Sequence, residues 1–364
     1  MRIAYVINSM EGGGAQTPLP KIVRALEKAG AEVRVMALTR RNGLAIERLR
    51  MEGIEPLVRD GGEKDQIAAY RWIRDQAAAW RADVVWTSLT RATLLGQIAG
   101  RQLGVPVVSW QHNAYLKPWN ERLLRWRAKS ADIWVADSAQ VAALTTERLG
   151  IPADSLVTWP IFAAEPDALQ ARPWMPGEVV RIGSLGRLHP NKGYDILIDA
   201  LALLRSADAE PNASFRIEIA GTGTDEADLL AQAAAAGVDT IDFTGFASDP
   251  AGFLAGLHLY LQPSRREGFC IAAHEAMQAG LPVIVSRTGE MPFTVDRPAI
   301  GRVVEVGDAQ SLANALAELL AAPENLGAMG KAARARVLER FSQDRFDAVG
   351  AEIVSRLGSQ LSRR

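Results

Sequence analysis

Two carboxylates, Glu267 and Glu275, lie eight positions apart across a predicted junction between a loop and a helix. The apolar run 257–262 ends just before Glu267, and the apolar spacing in 269–280 predicts a short amphipathic helix. A helix N-terminus presents unpaired N–H groups and a partial positive charge, so this junction could receive a diphosphate. At ~1.5 Å rise per residue the carboxylates stand roughly 12 Å apart, about the distance from a sugar ring to a ribose across a diphosphate. A pair of solvated helix glutamates is the alternative.

A second group of candidates follows a predicted strand: Gly186, Arg187 and Lys192 share one loop before a helix. Arginine offers a planar bidentate fork and lysine a compact charge, and together they would stabilise the negative charge on a departing nucleoside diphosphate. Solvated loop charges are the alternative. Gly221 and Gly223 end another predicted strand, where glycine would let the backbone contact a nucleotide.

Three glycines, Gly12 to Gly14, follow the first predicted strand directly and lead towards a helix. Their backbone could approach an anion or a sugar closely. The full G-x-G-x-x-G fingerprint is absent, because Thr17 occupies its last position. A plain tight turn therefore fits this segment equally well.

His112 and Asn113 end a further predicted strand of the first half. A histidine there can hydrogen-bond a sugar hydroxyl or stabilise positive character at an anomeric carbon, whereas a satisfied loop histidine is the alternative. We assign contacts with an acceptor molecule to Gln16, Asn113 and Trp119.

No metal site is predicted. His274 and Glu275 begin a near miss for the zinc motif H-E-x-x-H, but Gln278 stands at its last position. The sequence also lacks a D-x-D triplet that could hold a cation on a diphosphate. We therefore expect neither a metal nor another cofactor, with Arg187 and Lys192 taking over the role of the cation.

Length and composition indicate a soluble globular enzyme of two domains. The chain has 364 residues, which exceeds the usual size of one hydrophobic core. Hydrophobic residues make up 48% and no apolar run approaches the ~20 residues of a membrane helix. The single cysteine, Cys270, fits a reducing compartment, so a cytoplasmic location is expected.

The two halves of the chain differ in charge and in tryptophan content. Residues 1–180 contain 23 basic and 19 acidic residues, whereas 181–364 contain 18 and 23. All nine tryptophans lie in the first half. We interpret this asymmetry as two halves that meet different ligands. The small positive excess lies far from the strongly basic balance of a nucleic-acid binder.

Strand-like runs alternate with helix-like stretches in both halves, which predicts an α/β protein with two parallel, doubly wound sheets. Three prolines and the absence of a strong period make 163–178 a predicted linker. The predicted domains are 1–170 and 171–364, with C-terminal helices that could pack back on the first domain. In such folds ligands bind at the carboxyl ends of the strands.

The segment 115–129 combines five basic residues with three aromatic ones. An ordinary amphipathic helix is one interpretation. The other is a surface that rests on an anionic membrane, because basic and aromatic residues anchor interfacial helices. A peripheral position on the inner face of the plasma membrane would follow.

The sequence resembles the retaining glycosyltransferases of family 4, which have the GT-B fold of two Rossmann-like domains, and the likeness covers nearly the whole chain. It rests on six motifs: GGGAQ (12–16), QHN (111–113), GRLHPNKG (186–193), AGTG (220–223), FTGF (243–246) and EGFCIAAHEAMQAGLPVIVS (267–286). The chain departs from the family where His274 replaces a branched aliphatic residue.

The resemblance implies roles for the charged candidates. Glu267 would lie near the sugar of the donor, Glu275 would bind the ribose hydroxyls, Arg187 and Lys192 would hold the diphosphate, and His112 would approach the transferred sugar. Further contacts with the sugar donor are expected at Gly13, Gly14, Gly186, Gly221, Gly223, Gly268, Phe269 and Cys270. Enzymes of this kind need no metal.

The sequence thus predicts a retaining hexosyltransferase that uses a UDP- or GDP-sugar. The acceptor would be a cell-envelope glycan or a lipid-linked sugar, as in lipopolysaccharide or other polysaccharide biosynthesis, and the protein would be a monomer or a homodimer. A nucleotide-sugar 2-epimerase of the same fold is one alternative, although the first half lacks a second set of acid–base carboxylates. A non-catalytic sugar-binding protein is the other, and the intact charged residues argue against it.

Overall fold

The computed structural model describes residues 1–113, 115–206 and 213–363, and in these ranges it is an α/β protein with two parallel sheets, as predicted. The chain forms two compact units. The first comprises Met1–Ala163 and a C-terminal helix that begins at Gln343, and the second is Ala164–Ser342.

The units divide before the predicted limit of 170, and the start of the linker shows why. The backbone N–H of Ala164 donates to Phe341, and that of Ala171 donates to Ala279. Residues 164–171 are therefore bonded to the second unit, so the linker begins as part of that unit.

The first unit contains a sheet of seven strands in the order β3-β2-β1-β4-β5-β6-β7. Its strands are β1 (Arg2–Ser9), β2 (Glu32–Thr39), β3 (Leu57–Val58), β4 (Val84–Ser88), β5 (Val107–Gln111), β6 (Ile133–Ala136) and β7 (Leu156–Thr158). The helices between them are α1 (Leu19–Lys28), α2 (Leu44–Met51), α3 (Gln66–Ala79), α4 (Thr90–Leu103), α5 (Pro118–Trp126) and α6 (Ala139–Leu149).

The second unit contains a sheet of six strands in the order β10-β9-β8-β11-β12-β13. Its strands are β8 (Val180–Leu185), β9 (Phe215–Ala220), β10 (Ile241–Gly245), β11 (Leu259–Gln262), β12 (Val283–Ser286) and β13 (Gly301–Val304). Its helices are α7 (Tyr194–Ser206), α8 (Glu226–Ala235), α9 (Pro250–Ala255), α10 (Ile271–Gln278), α11 (Met291–Thr294), α12 (Ala309–Ala321) and α13 (Leu326–Arg340).

The central strands of both sheets are buried along nearly their whole length. Every residue of β4, β5, β11 and β12 is buried. This explains their continuous apolar composition, because helices cover both faces of a parallel sheet. In each sheet the chain also reverses its direction of winding beside the first strand. In the first sheet β1 lies between β2 and β4, and in the second sheet β8 lies between β9 and β11. Such a reversal opens a crevice at the carboxyl ends of the strands.

The last helix, α14 (Gln343–Leu361), packs on the first unit against α1, whereas α12 and α13 stay with the second unit. Its Phe346 ring lies 5.1 Å from the ring of Trp159. Lys28 on α1 forms an ion pair of 2.7 Å with Asp347. A short apolar contact and a surface charge pair thus fix the end of the chain to this unit.

Much of the tryptophan of the first unit is core. Trp86, Trp110, Trp134 and Trp159 are among the largest side chains that are fully buried. The ring of Trp110 stacks on that of Trp159 at 5.0 Å. Packing therefore accounts for these four residues, and the tryptophan excess does not by itself indicate a different ligand for this half.

Candidate active site

The structure brings Lys192 and Glu267 together at the carboxyl ends of β8 and β11. The Lys192 ammonium lies 2.7 Å from Oε1 of Glu267, and the two side chains are 23% and 11% exposed. Burial, the largest single effect, disfavours the charged ammonium. The attraction and the hydrogen bond of Glu267, together with the neighbouring Cys270 and Tyr194, outweigh it and raise the pKa of Lys192 above its ordinary value. The site therefore contains a fixed positive charge beside a carboxylate.

A close packing of two loops produces this ion pair. Lys192 ends a short 3-10 turn and is followed by Gly193, whose φ of 70° lies in the left-handed region. A Cβ at Gly193 would lie only 2.1 Å from the carbonyl oxygen of Pro263. Glycine is thus required for both the backbone angle and the approach to the loop after β11.

Polar side chains from β11 and its loop support Glu267. Oε1 of Glu267 accepts a hydrogen bond of 2.7 Å from Ser264, and Gln262 lies 3.5 Å away. Tyr260 in turn donates to Gln262 over 2.8 Å. Sequence reasoning missed these three supports, although a signal was present: Tyr260 and Gln262 stand two positions apart and so lie on one face of β11, and Ser264 follows two positions later in the loop.

Arg187 lies in the same loop as Lys192, but its side chain is exposed. It makes no hydrogen bond or ion pair with any other residue that the structure describes. The neighbouring cation Arg265, by contrast, binds both carboxylate oxygens of Asp195, at 2.6 and 2.5 Å. Arg187 is therefore a free cation close to the ion pair of Lys192 and Glu267.

Helix α10 begins at Ile271, which confirms the predicted junction between loop and helix. Glu275 lies in its second turn and is half-buried. Cys270 precedes the helix with a φ of 71°, a conformation uncommon outside glycine. Gly268 and Glu267 lie in the loop just before this junction.

Two of the predicted sugar-donor contacts turn away from the loop surface. The side chains of Phe269 and Cys270 are buried, with 2% and 7% of the residue exposed. The Phe269 ring stacks on His274 at 4.2 Å and meets Phe341 edge-on at 5.1 Å. These two side chains therefore pack into the core, so that only their backbone could face a ligand, and the predicted donor contacts at Phe269 and Cys270 stay a prediction.

His274, the departure from the family pattern, has a packing role in α10. Its Nδ1 lies 2.9 Å from the carbonyl oxygen of Cys270, and its Nε2 lies 3.0 Å from Oγ1 of Thr294. Burial lowers the pKa of His274 to about 3, so the ring is neutral at physiological pH. In the neutral ring Nδ1–H can donate to the Cys270 carbonyl. This hydrogen bond stabilises Cys270 in its uncommon backbone conformation at the start of the helix.

The glycines after β9 are required by the packing of loops within the second unit. A Cβ at Gly221 would lie 1.9 Å from the carbonyl oxygen of Gly186, and one at Gly223 would lie 2.0 Å from that of Leu188. The loop after β9 thus lies directly against the loop that carries Arg187. A backbone contact with a nucleotide at Gly221 and Gly223 stays a prediction.

In the first unit, the glycine-rich segment forms a tight turn after β1. The carbonyl of Gly13 accepts hydrogen bonds from the N–H groups of Gln16 and Thr17, at 3.1 and 3.0 Å. The Gln16 side chain is buried and donates to the Ser9 carbonyl over 3.0 Å. Gly14 has open space where a side chain would stand. This turn leaves room for a ligand at Gly14, but it uses the amide of Gln16 to hold the loop.

His112 lies at the end of β5 and is bonded through both ring nitrogens. Its Nε2 lies 2.6 Å from Oγ of Ser88, and its Nδ1 lies 3.0 and 3.1 Å from the two carboxylate oxygens of Asp137. Burial raises the pKa of Asp137, and the neighbouring His112 and Trp110 oppose that rise. Sequence reasoning missed Ser88 and Asp137, although both end predicted strands next to β5.

The other two predicted acceptor residues lie on the surface. Asn113 is exposed and accepts a hydrogen bond of 2.7 Å from the backbone N–H of Tyr115. Trp119 on α5 is 66% exposed. The structure neither buries these side chains nor pairs them with His112.

Residues 1–113, 115–206 and 213–363 contain no group of three or more His, Cys, Asp or Glu side chains arranged to hold a metal ion. None of the helices in these ranges is both long enough and apolar enough to cross a bilayer.

The sequence matches two family descriptions that together span most of the chain. Residues 12–162 match Glycosyltransferase Family 4, and residues 174–336 match Glycosyl transferases group 1. The two matches correspond to the two sheets, one in each unit.

Similar proteins include two that are named as glycosyltransferases. A D-inositol 3-phosphate glycosyltransferase of Segniliparus rotundus is 28% identical over 72% of this chain and 64% of its own length, so the chain spans less than two thirds of that relative. The lipopolysaccharide core biosynthesis mannosyltransferase LpcC of Rhizobium leguminosarum is 30% identical over 69% of this chain and 70% of its own.

Among solved structures, Anabaena HepE in complex with UDP-glucose superposes with a TM-score of 0.84 at 21% identity, covering 98% of this chain and 99% of HepE. This likeness shows the GT-B fold. The two family matches and the likeness to LpcC show that the chain belongs to glycosyltransferase family 4, the glycosyl transferases of group 1.

Proposed function

We propose that this protein transfers a hexose from a UDP- or GDP-sugar to a hydroxyl of a cell-envelope glycan or lipid-linked acceptor, with retention of the anomeric configuration. The half-buried pair of Lys192 and Glu267, with Arg187 in the same loop as Lys192, carries this proposal. The name of the similar LpcC, a mannosyltransferase of lipopolysaccharide core biosynthesis, supports the acceptor class. The UDP-glucose bound by HepE supports the donor class.

In this proposal the cations act on the leaving group. Arg187 and Lys192 hold the diphosphate and stabilise the charge that develops as the bond between the anomeric carbon and the phosphate oxygen breaks. Glu267 lies by the sugar and Glu275 binds the ribose hydroxyls. The acceptor oxygen attacks the same face of the sugar, and the departing phosphate takes its proton, so no separate strong base is required.

The proposal includes catalysis without a metal. A divalent cation would normally neutralise a nucleoside diphosphate, and two fixed cations can provide the same compensation of charge. Lys192 stays protonated because Glu267 raises its pKa, and arginine is always charged.

Thermal shift measurements with UDP-, GDP-, ADP- and dTDP-sugars test this proposal. A ligand that binds only the folded protein stabilises it by about 2.7 kcal/mol at about 100 times its Kd. We expect a rise in Tm with a UDP- or a GDP-sugar, unchanged by EDTA. A rise that EDTA abolishes would contradict catalysis without a metal. No rise with any nucleotide sugar would contradict the whole proposal.

We further propose that α5 rests on an anionic membrane. One face of this helix exposes Trp119 and Trp126, at 66% and 77%, while Leu124 on the other side is buried. Arg122 is exposed on the same face, since it lies three residues from Trp119 and four from Trp126. Arg125 is also exposed and lies three residues from Arg122, at the side of this face. Exposed aromatic and basic residues on one face are typical of interfacial helices.

Liposome flotation tests the membrane surface. Arg122→Glu with Arg125→Glu should weaken binding to vesicles of phosphatidylglycerol and phosphatidylcholine, because each arginine near an anionic surface contributes about 1 kcal/mol. We expect a loss of roughly 30-fold or more. The control is Arg71→Glu with Lys331→Glu, which makes the same change of net charge at two exposed positions elsewhere. Equal flotation of both double variants would contradict this surface.

A further inference from the structure

Three neighbouring strands of the first sheet end in a connected chain of polar side chains. The register pairs Ser88 with Trp110, and Gln111 with Ala136. Ser88, His112 and Asp137 therefore emerge at the same edge, from β4, β5 and β6. Their contacts of 2.6 Å and 3.0 Å follow directly from the order of the strands.

The surroundings of Asp137 determine which nitrogen of His112 carries a proton. Asp137 is 1% exposed, and its Oδ1 accepts a hydrogen bond of 2.5 Å from the indole N–H of Trp110. An ionised carboxylate can only accept, so Nδ1 of His112 donates to it. In the Nδ1–H tautomer, Nε2 has a lone pair that can accept a hydrogen bond from the hydroxyl of Ser88.

Trp110 restrains the same ring from its face. The Trp110 and His112 rings are stacked at 5.4 Å with an interplanar angle of 17°. Because Trp110 also bonds to Asp137, one side chain positions both the histidine and its carboxylate. The His112 ring is thus fixed by two hydrogen bonds and one stacking contact.

The three residues have the order of partners found in a Ser-His-Asp hydrolase, but Ser88 cannot act as a nucleophile. Ser88 is fully buried, with 0% exposure, so its hydroxyl is out of reach of a substrate. A nucleophile must contact the atom it attacks. The arrangement is therefore suited to holding the histidine rather than to covalent catalysis.

We propose that Asp137 is a positioning residue for the transfer reaction, which fixes His112 in the Nδ1–H tautomer and in one orientation. Both ring nitrogens are then occupied within the first unit, so the ring serves as a fixed polar group and not as a general base for the acceptor. This inference rests on the proposed function, in which His112 approaches the transferred sugar.

Nitrogen-15 NMR of the histidine side chains tests the tautomer without any assay of activity. The chain has four histidines, and the His112 signal is assigned by its loss in His112→Gln. We expect the Nδ1–H form in the wild type and in Ser88→Ala, which removes only the partner of Nε2. Asp137→Asn should shift His112 to the Nε2–H form or to a mixture, with Asp137→Ser as the substitute if that variant does not fold. An Nε2–H wild type, or an unchanged tautomer without Asp137, would overturn the inference.

Kinetics test the consequence for the reaction. Loss of a carboxylate that orients a metal-bound histidine typically costs about 10- to 100-fold, and we expect an effect of this size for a carboxylate that orients His112. We expect Asp137→Asn to lower kcat by that factor and to leave the KM of the sugar donor unchanged. Unchanged kcat despite an altered tautomer would reject the positioning role and leave the proposed function intact. If the wild type turned over no nucleotide sugar, the role in transfer would be rejected with the proposed function, while the NMR result would still stand.

Discussion

Lys192→Ala is expected to lower kcat/KM for the sugar donor by about 10²- to 10³-fold, the usual cost of removing one group that stabilises developing negative charge. The alanine removes the ammonium that lies 2.7 Å from Glu267. It leaves Arg187 as the remaining cation of this loop. Steady-state kinetics with the nucleotide sugar identified by thermal shift provide the measurement, and circular dichroism verifies that the variant is folded.

A second ion pair of the same unit supplies the control. Arg216 on β9 binds Asp242 over 2.6 Å, but both side chains are largely exposed. Exposed pairs contribute little to stability, and this one lies away from the carboxyl end of its strand. Arg216→Ala should therefore retain wild-type turnover. Equal kcat/KM in Lys192→Ala and Arg216→Ala would show that Lys192 takes no part in the reaction.

Combining Lys192→Ala with Glu267→Gln distinguishes two explanations for the expected loss of kcat/KM in Lys192→Ala. If Lys192 acts on the diphosphate directly, Lys192→Ala should be impaired even where Glu267→Gln has already removed the opposite charge. If Lys192 only holds Glu267 in place, the double variant should be no worse than Glu267→Gln alone. A double-mutant cycle measures this coupling, because residues in contact deviate from additivity.

The sequence predicted the longer strands because they contain apolar runs or alternating apolar residues, and it missed the short ones. β3 has two residues, Leu57–Val58, and β7 has three, Leu156–Thr158. Both lie at the edges of the first sheet. A run of two or three residues carries no periodicity, so these strands exist only because a neighbouring strand offers its hydrogen-bonding groups.

Arg187, Lys192 and Glu267 were found because they lie in loops that follow predicted strands. The support that Thr288 gives to Glu267 was not found, because it depends on which loops meet. The backbone N–H of Glu267 lies 3.3 Å from the hydroxyl of Thr288, which follows β12. Asp137 was missed for the same reason, since its contact with His112 requires β5 and β6 to be neighbours.

The roles of the glycines could not be predicted from the sequence, for a different reason. A glycine near a strand end can serve a ligand, a backbone angle or the approach of another loop, and the residue itself does not distinguish these roles. Gly14 has open space around its Cα, whereas Gly223 lies against the backbone of Leu188. The same residue type thus meets a free surface in one loop and a packed contact in the other.

Gly223→Ala is accordingly expected to destabilise the second unit severely. The added methyl would lie 2.0 Å from the carbonyl oxygen of Leu188 and 2.6 Å from its carbon, and backbone atoms cannot move aside as a side chain can. Overpacking typically costs 1–3 kcal/mol, and a clash with backbone belongs at the upper end, about 3 kcal/mol or more. Tm should fall by roughly 6 °C or more, as measured by differential scanning calorimetry.

Gly14→Ala is the matched control, because no heavy atom lies within 4 Å of the position that its Cβ would occupy. Its Tm should stay close to that of the wild type. A stable Gly223→Ala would contradict the close packing of the loop after β9 against the loop of Arg187. Because Gly14→Ala keeps the fold, a raised KM for the sugar donor in that variant would report a ligand at the glycine-rich turn, whereas the same change in Gly223→Ala could arise from unfolding alone.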